Sequence, residues 1–159
     1  MSARDDIDDI GDARAALSGI PQFSGWREPQ ITRLGGLTNR VFRIDGPESI
    51  CLRLPGAGTE AYIDRSNEAI AAREAARAGV SPEVIFADPK SGVLVTDYIE
   101  WAVTMTPTAF KVREGAPFRA GETFRKLHTS DAKFNFRFEL FAMIDDYLKF
   151  LATKPVDLI

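Results

Sequence analysis

Two features between Ile31 and Arg53 have residue types and spacing suited to binding a phosphate. The first is the turn Gly35-Gly36-Leu37-Thr38-Asn39, whose adjacent glycines permit φ > 0 and leave no side chain between backbone and ligand. Such a turn can direct several N–H groups at one phosphate. The second is Arg53, which period-2 alternation places on the same strand face as the small residue Cys51. Together they predict a nucleotide site in which Cys51 covers a base and Arg53 reaches the phosphates.

These residues lie in three predicted strands, and the following sequence predicts one helix and a hairpin. Residues 31–53 alternate as strand, turn, strand, turn and strand. A helix is predicted from Asp64, as its N-cap, to Ala78, with Gly79 as terminator. A hairpin is then predicted from residues 84–87 and 92–99. The sequence therefore predicts a five-stranded sheet with one inserted helix.

Helical segments flank this sheet on both sides. Residues 5–18 predict an amphipathic helix, which we interpret as a solvated capping helix without chemistry. Its acidic residues are then a solvated helix start. The apolar-face positions are Ile7, Ile10, Arg14 and Leu17, and the acids are Asp5, Asp6, Asp8 and Asp9.

Two further helices are predicted after the sheet. Pro117 opens one, and the other runs from about Arg137 to Ala152 with apolar stripes on two faces. A helix that is apolar on two faces must be buried on both. We therefore expect the helices at 117–152 to be covered by further chain, a missing helical lobe, or by another subunit.

Length and composition limit the classes of function. The 159 residues, 45% hydrophobic and 27% charged, suit one globular domain with a proper core. A net charge of −3 provides no basic field for nucleic acid or an anionic membrane. Apolar runs stay short of the roughly 18 residues that span a bilayer. With one cysteine, Cys51, and no secretory leader pattern, we expect a cytoplasmic protein.

Five segments together resemble the successive N-terminal motifs of the choline/ethanolamine kinase family, above all its bacterial choline kinase-like members, within a wider group that includes aminoglycoside phosphotransferases. The match covers roughly residues 30 to 150 and is specific through the order and spacing of its segments. They are GGLTNRVFRI, CLRLPGAGTEAYIDRSNE, GVSPEVIF, GVLVTDYI and FRKLHTS.

The resemblance implies an α+β fold. A protein kinase-like N-terminal lobe, with a five-stranded antiparallel sheet and one helix, is followed by the first helices of a truncated helical C-terminal lobe. The implied division is an N-terminal helix and lead-in at 1–25, the kinase-like lobe at 26–100, and a linker with the incomplete helical lobe at 101–159. In this family ATP lies between the two lobes.

The resemblance also assigns roles to individual residues. Gly35 to Asn39 become the glycine-rich phosphate loop, and Arg53 takes the place of the protein-kinase lysine. Glu68 is the helix glutamate that pairs with this cation and aims it, with Glu74 in reserve. Backbone groups of Asp97 and Ile99 take the adenine edge. Cys51 covers the base or is an ordinary buried thiol.

The family's chemistry further needs an H-x-D-x-x-x-x-N catalytic loop and a later metal-binding aspartate, and neither motif occurs in these residues. The segment His128 to Asn135 has the right residue types at the wrong spacing, so we interpret His128 as packing against or capping its helix. We therefore expect no catalytic residue and no metal ligand in this chain, with the ligands of Mg²⁺ outside it.

The leading hypothesis is the ATP-binding N-terminal part of a choline/ethanolamine kinase-like enzyme, inactive alone, that phosphorylates a small-molecule hydroxyl such as that of choline. One alternative is an aminoglycoside or other small-alcohol kinase. Another is a non-catalytic module that binds nucleotide or a partner. P-loop, Rossmann and common zinc motifs do not occur in the sequence.

Overall fold

The computed structural model describes residues 3–36, 38–59 and 63–153, and side chains from residue 8 onward. Helices precede and follow a central block of strands, which is the order predicted from the sequence. The elements are α1 (Ala3–Ser18), a 3₁₀ turn (Pro21–Phe23), β1 (Gln30–Leu34), β2 (Asn39–Asp45), β3 (Ser49–Pro55), α2 (Arg65–Arg77), β4 (Val84–Ala87), β5 (Leu94–Asp97), α3 (Pro107–Val112), α4 (Ala116–His128) and α5 (Leu140–Ala152).

The five strands form one antiparallel sheet in the order β1-β2-β3-β5-β4. Alternation along β3 holds as predicted, because Ile50, Leu52 and Leu54 are buried while Cys51 and Arg53 point to the other face. The predicted α+β fold, with a five-stranded antiparallel sheet and an inserted helix, is confirmed.

The buried face of the sheet packs against α1, which corrects our interpretation of α1 as a solvated cap. Ala13 and Leu17 of α1 are buried in the same cluster as Phe42 and Ile44 of β2. Arg14, which the sequence placed on the apolar face, is exposed. The helix α1 is therefore one wall of the hydrophobic core. We still assign it no part in ligand binding or catalysis.

The acidic start of α1 is also less solvated than expected. Asp9 accepts hydrogen bonds from Arg33 of β1 and Arg40 of β2, each at 3.0 Å. Burial opposes ionisation of Asp9, but the hydrogen bonds from Arg40 and Arg33 outweigh it and hold its pKa below the ordinary value. Asp9 therefore anchors α1 to the two strands that flank the glycine turn.

Both ends of α2 are capped as the sequence predicted. The Asp64 carboxylate accepts hydrogen bonds from the backbone N–H groups of Ser66 and Asn67. Gly79 has φ +67° and donates to Ala76, while the next residue donates to Ala75. This is the Schellman pattern, which satisfies carbonyl groups at the helix end.

The helices after the sheet differ from the prediction in two respects. The short helix α3 was not predicted, and α5 begins at Leu140 rather than near Arg137. We expected further chain or another subunit to cover the apolar faces of these helices, and α5 has no buried residue within the described part of the chain. Phe118 of α4 and Phe141 of α5 are 72% and 81% exposed. Among the described helices, none has the length and apolar character that a bilayer-crossing segment requires.

Candidate functional site

The open face of β3 carries the predicted cation and its predicted partner. Arg53 Nη2 lies 2.9 Å from Glu68 Oε1 of α2, and both side chains are about three-quarters buried, with 25% and 24% exposed. Glu74, the reserve candidate, instead contacts Arg77, which corrects that alternative. The helix glutamate and the strand arginine therefore meet as the resemblance implied.

The ion pair leaves part of the Arg53 guanidinium unused. Its Nε is buried and has no hydrogen-bond partner among the described residues. A buried N–H group without a partner is rare in proteins and needs an explanation, of which a ligand is one. Arg53 lines a narrow recess together with Glu68, Arg65 and residues of the β4–β5 turn.

The glycine turn is shaped by close backbone contact and not by unusual backbone angles. Neither Gly35 nor Gly36 has φ in the left-handed region. A Cβ on Gly36 would collide with the backbone carbonyl oxygen of Asn39, and a Cβ on Gly56 would collide with that of Thr38. The turn therefore lies directly against the chain that follows β3, and only glycine fits at both contacts.

A cleft of about 510 Å³ lies beside this turn. Asn39 is in its wall, and the Asn39 Oδ1 atom is buried without a hydrogen-bond partner in the described ranges. Leu37, also predicted in the phosphate loop, lies outside the described residues. Arg53 does not line this cleft, so the structure places the turn and the cation in adjacent spaces. The lining residues are Arg33, Gly36, Thr38, Asn39, Arg40, Gly56, Ala57 and Thr59.

Sequence reasoning missed a second arginine beside the ion pair. Arg65 Nη1 lies 2.8 Å from Glu68 Oε2, and Arg65 Nη2 donates to the hydroxyl of Thr59. The spacing of Arg65 and Glu68 on one helix, i and i+3, was a signal that could have shown this contact. Thr59 had no comparable signal, because its partner comes from a different element.

The predicted adenine-binding backbone follows β5. The Asp97 N–H is already bonded to the Glu83 carbonyl at 3.0 Å, and the Asp97 carbonyl already accepts from the Thr96 hydroxyl at 3.1 Å. Only the second lone pair of that carbonyl therefore remains to accept from a ligand. For Ile99, no hydrogen bond of the N–H is found within the described residues. The segment is held by Arg43 of β2, whose guanidinium lies 4.3 Å from the Tyr98 ring centre and 2.8 Å from Glu100 Oε1.

Cys51 lies on the same face as Arg53, paired in register with Arg43 of β2 and Thr96 of β5. It is half-buried, and burial raises the pKa of its thiol. Cys51 is therefore a neutral, weakly polar group at neutral pH, which suits either a cover over a base or an ordinary buried thiol.

The segment from His128 to Asn135 contacts the C-terminal part of α2 through an ion pair and a hydrogen bond. Arg77 Nη1 contacts Asp131 Oδ1 at 2.6 Å, and the backbone N–H of Lys133 donates to Glu74 at 2.7 Å. The hydrogen bond from Arg77, aided by that N–H, lowers the pKa of Glu74. Asp131 is thus engaged in an ion pair, and His128 stacks on Phe124 with ring centres 6.2 Å apart. Both observations fit the structural interpretation of this segment.

Comparison with known proteins finds related sequences and related solved structures, although no family model matches the sequence. A Haemophilus influenzae protein, LicA, is 31% identical over 126 residues, which are 78% of this chain and 37% of LicA. The crystal structure of a choline/ethanolamine kinase family protein from Mesorhizobium loti is 57% identical with a TM-score of 0.77, and the match covers 94% of this chain and 48% of that one.

A crystal structure of LicA in complex with AMP shares the fold, with a TM-score of 0.67 and 22% identity over 87% of this chain and 48% of that one. The fold is thus that of a kinase-like N-terminal lobe. The resemblance to the choline/ethanolamine kinase family is confirmed. The chain spans about half the length of these solved structures, which fits the N-terminal portion.

Proposed function

We propose that this chain provides the ATP-binding part of a choline/ethanolamine kinase-like phosphotransferase, which transfers the γ-phosphoryl group of ATP to a small-molecule hydroxyl. The observation that carries this proposal is the Arg53–Glu68 pair with the Arg53 Nε buried and unpartnered among the described residues. A guanidinium fixed at one edge by a carboxylate still offers N–H donors to phosphate oxygens. The same strand-to-helix pairing places the cation on the phosphates in protein kinases.

The described residues fit a nucleotide in this position. One buried donor, Arg53 Nε, is without a partner in the described ranges, and a phosphate oxygen of the ligand can accept from it. The buried Asn39 Oδ1 is an acceptor without a partner in the same ranges, and an N–H or O–H of the ligand, not a phosphate oxygen, can bond to it. Gly36 and Gly56 keep the turn free of side chains where backbone N–H groups would meet phosphate. The AMP complex of LicA, whose fold this chain shares, supports nucleotide binding.

Each predicted residue then has a place around ATP. The turn Gly35 to Asn39, including Leu37, covers the phosphates, and Arg53 binds them under the control of Glu68. The Asp97 carbonyl and the Ile99 N–H hold the adenine edge, with Cys51 as the cover over the base.

We propose the class of the phosphoryl acceptor and the metal ion without assigning residues that bind them. The names of the relatives favour choline or ethanolamine as acceptor over an aminoglycoside. Mg²⁺ would neutralise charge on the transferred phosphoryl group. We place its ligands outside these residues, because the sequence lacks the metal-binding aspartate motif of the family, and we assign them no step.

We also propose that further polypeptide, in the form of a helical lobe, covers the exposed apolar faces of α4 and α5 and carries the catalytic base. The 159 residues alone are then inactive. Phosphorylation of choline by the purified chain with ATP would contradict this part of the proposal.

Nucleotide titration of the purified chain tests the binding proposal. We expect Arg53→Ala to weaken ATP binding by about tenfold or more, because a charge-assisted hydrogen bond to phosphate contributes about 1.5–3 kcal/mol. Arg14→Ala, which removes an exposed arginine of α1, is the control and should bind like the wild type. Equal ATP affinity of Arg53→Ala and the wild type would show that Arg53 does not bind the nucleotide.

A further inference from the structure

The carboxylate of Glu68 is held by two arginines, one at each oxygen. Arg53 Nη2 lies 2.9 Å from Oε1, and Arg65 Nη1 lies 2.8 Å from Oε2. Because each oxygen has its own partner, the carboxylate cannot rotate without breaking one of two charge-assisted hydrogen bonds. The three groups carry two positive charges and one negative charge, so the cluster keeps a net positive charge that favours an anionic ligand.

Arg65 is itself held in a defined position. Its side chain is 10% exposed, and its Nη2 donates to the hydroxyl of Thr59, which is 3% exposed. On its other side it packs under Gly92, where an added Cβ would lie 3.0 Å from the Arg65 Nε and 3.1 Å from its Cδ. Arg65 is therefore enclosed by the β4–β5 turn and by the connection between β3 and α2.

Thr59 extends these contacts to the glycine turn. Its hydroxyl, which accepts from Arg65, donates to the Gly56 carbonyl at 2.8 Å. Gly56 in turn lies so close to the Thr38 carbonyl that no Cβ fits between them. A continuous series of contacts thus runs from Arg53 through Glu68, Arg65, Thr59 and Gly56 to the turn.

We propose that Arg65 and Thr59 are positioning residues that fix Arg53 relative to the glycine turn, so that both act on the same phosphate chain; this rests on the proposed nucleotide site. Thr59 lines the cleft beside the turn, and Arg65 lines the recess at Arg53. Their polar groups are bonded within the protein, so we assign neither side chain a bond to the ligand. Their effect is to hold Glu68 and the 56–59 connection in one arrangement, so that the spacing of cation and turn is set before ATP binds.

The binding of ATP and the binding of adenosine should respond differently to a loss of positioning. Adenosine uses the base site but lacks phosphates, so an error in the spacing of Arg53 and the turn should affect ATP alone. A general loss of structure would weaken both ligands. The variants are Thr59→Val, which removes the hydroxyl at similar volume, Thr59→Ser, which keeps it, and Arg65→Lys, which keeps the charge but loses the planar fork.

We expect Thr59→Val and Arg65→Lys each to weaken ATP binding by about five- to tenfold, equivalent to the loss of roughly one ordinary hydrogen bond. Adenosine affinity should stay within about twofold, and Thr59→Ser should restore ATP affinity. The double variant Thr59→Val/Arg65→Lys should bind ATP no more weakly than the single variant with the lower ATP affinity, because the two residues act through one path. Arg73→Lys, an arginine on the same helix bonded to the Ala87 carbonyl, is the matched control and should change neither ligand.

The results show separately whether the positioning role of Arg65 and Thr59 is wrong and whether the proposed nucleotide site is wrong. If Arg53→Ala weakens ATP binding while Thr59→Val and Arg65→Lys do not, or weaken adenosine equally, the positioning role is wrong and the site stands. If wild type binds no ATP, or Arg53→Ala binds it normally, both proposals fall. Melting curves identify any variant that does not fold. If Thr59→Val does not fold, the ATP and adenosine affinities of Arg65→Lys, compared with those of Arg73→Lys, decide whether the positioning role holds.

Discussion

The two neighbouring glycines of the turn should respond differently to the same substitution. An added Cβ on Gly36 would collide with the Asn39 backbone carbonyl, whereas a Cβ on Gly35 would meet no described atom within 4 Å. Neither residue has φ in the left-handed region that disfavours alanine. The contrast between Gly36→Ala and Gly35→Ala therefore isolates the close approach of the backbone from its conformation.

The magnitudes follow from the contact. A carbonyl of the backbone cannot swing aside like a side chain, so Gly36→Ala must move the turn, at an overpacking cost of about 1–3 kcal/mol. Gly35→Ala should instead stabilise the fold by about 0.4–1 kcal/mol, because it restricts the unfolded chain. We expect the two variants to differ by about 1.5–4 kcal/mol in free energy of unfolding.

Urea denaturation and ATP titration measure the two effects. Because Gly36→Ala must move the turn whose backbone N–H groups we propose to bind phosphate, it should bind ATP about tenfold or more weakly than Gly35→Ala, the loss of one hydrogen bond to a charged group. Equal stability and equal ATP affinity of the two variants would refute the close approach at Gly36. Equal loss of affinity in both would instead show that the turn requires the flexibility of both glycines.

Two further predictions concern titratable groups. Asp9→Asn should destabilise the fold by about 1–3 kcal/mol at neutral pH, because it removes a charged partner of Arg33 and Arg40. Since the pKa of Asp9 is lowered in the folded state, its stabilisation is complete above the ordinary value of 3.8 and is lost as pH falls through the lower folded value; the gap between variant and wild type in urea denaturation should close there. A gap that persists at lower pH would contradict this linkage. Because burial raises the pKa of Cys51 above 9.0, its alkylation by iodoacetamide, followed by mass spectrometry, should be slow at neutral pH and accelerate in alkaline solution. Adenosine should slow it further if Cys51 covers the base, and labelling that adenosine does not change would favour the ordinary buried thiol.

The sheet could be predicted from the sequence because its signals are local. Alternation along Ile50 to Leu54 shows which face is buried, and Asp64 and Gly79 mark the two ends of α2. The pairing of Arg53 with Glu68 was different, since it came from the family resemblance and could not be obtained from spacing. Pattern alone left Glu74 open as well.

The errors concern contacts between distant parts of the chain. The core role of α1 depends on Ala13, a residue too small to mark an apolar face, and on Asp9 meeting arginines from two strands. A single sequence does not show which acid meets which base at that separation. By contrast, α3 had a local signal that was overlooked, because Thr106 caps the helix directly before Pro107. The roles of Cys51, Asp97 and Ile99, and the boundaries at residues 25 and 100, stay predictions.

The helix α2 is tied at both ends to different parts of the molecule. Glu68 near its start holds the strand arginine, whereas Glu74 and Arg77, about 9 Å or more farther along the axis, hold residues 131–133. A rigid rod fastened in this way transmits tilt from one end to the other. A displacement of the segment after α4 that tilts α2 would therefore shift Glu68 and, with it, the Arg53 guanidinium on β3.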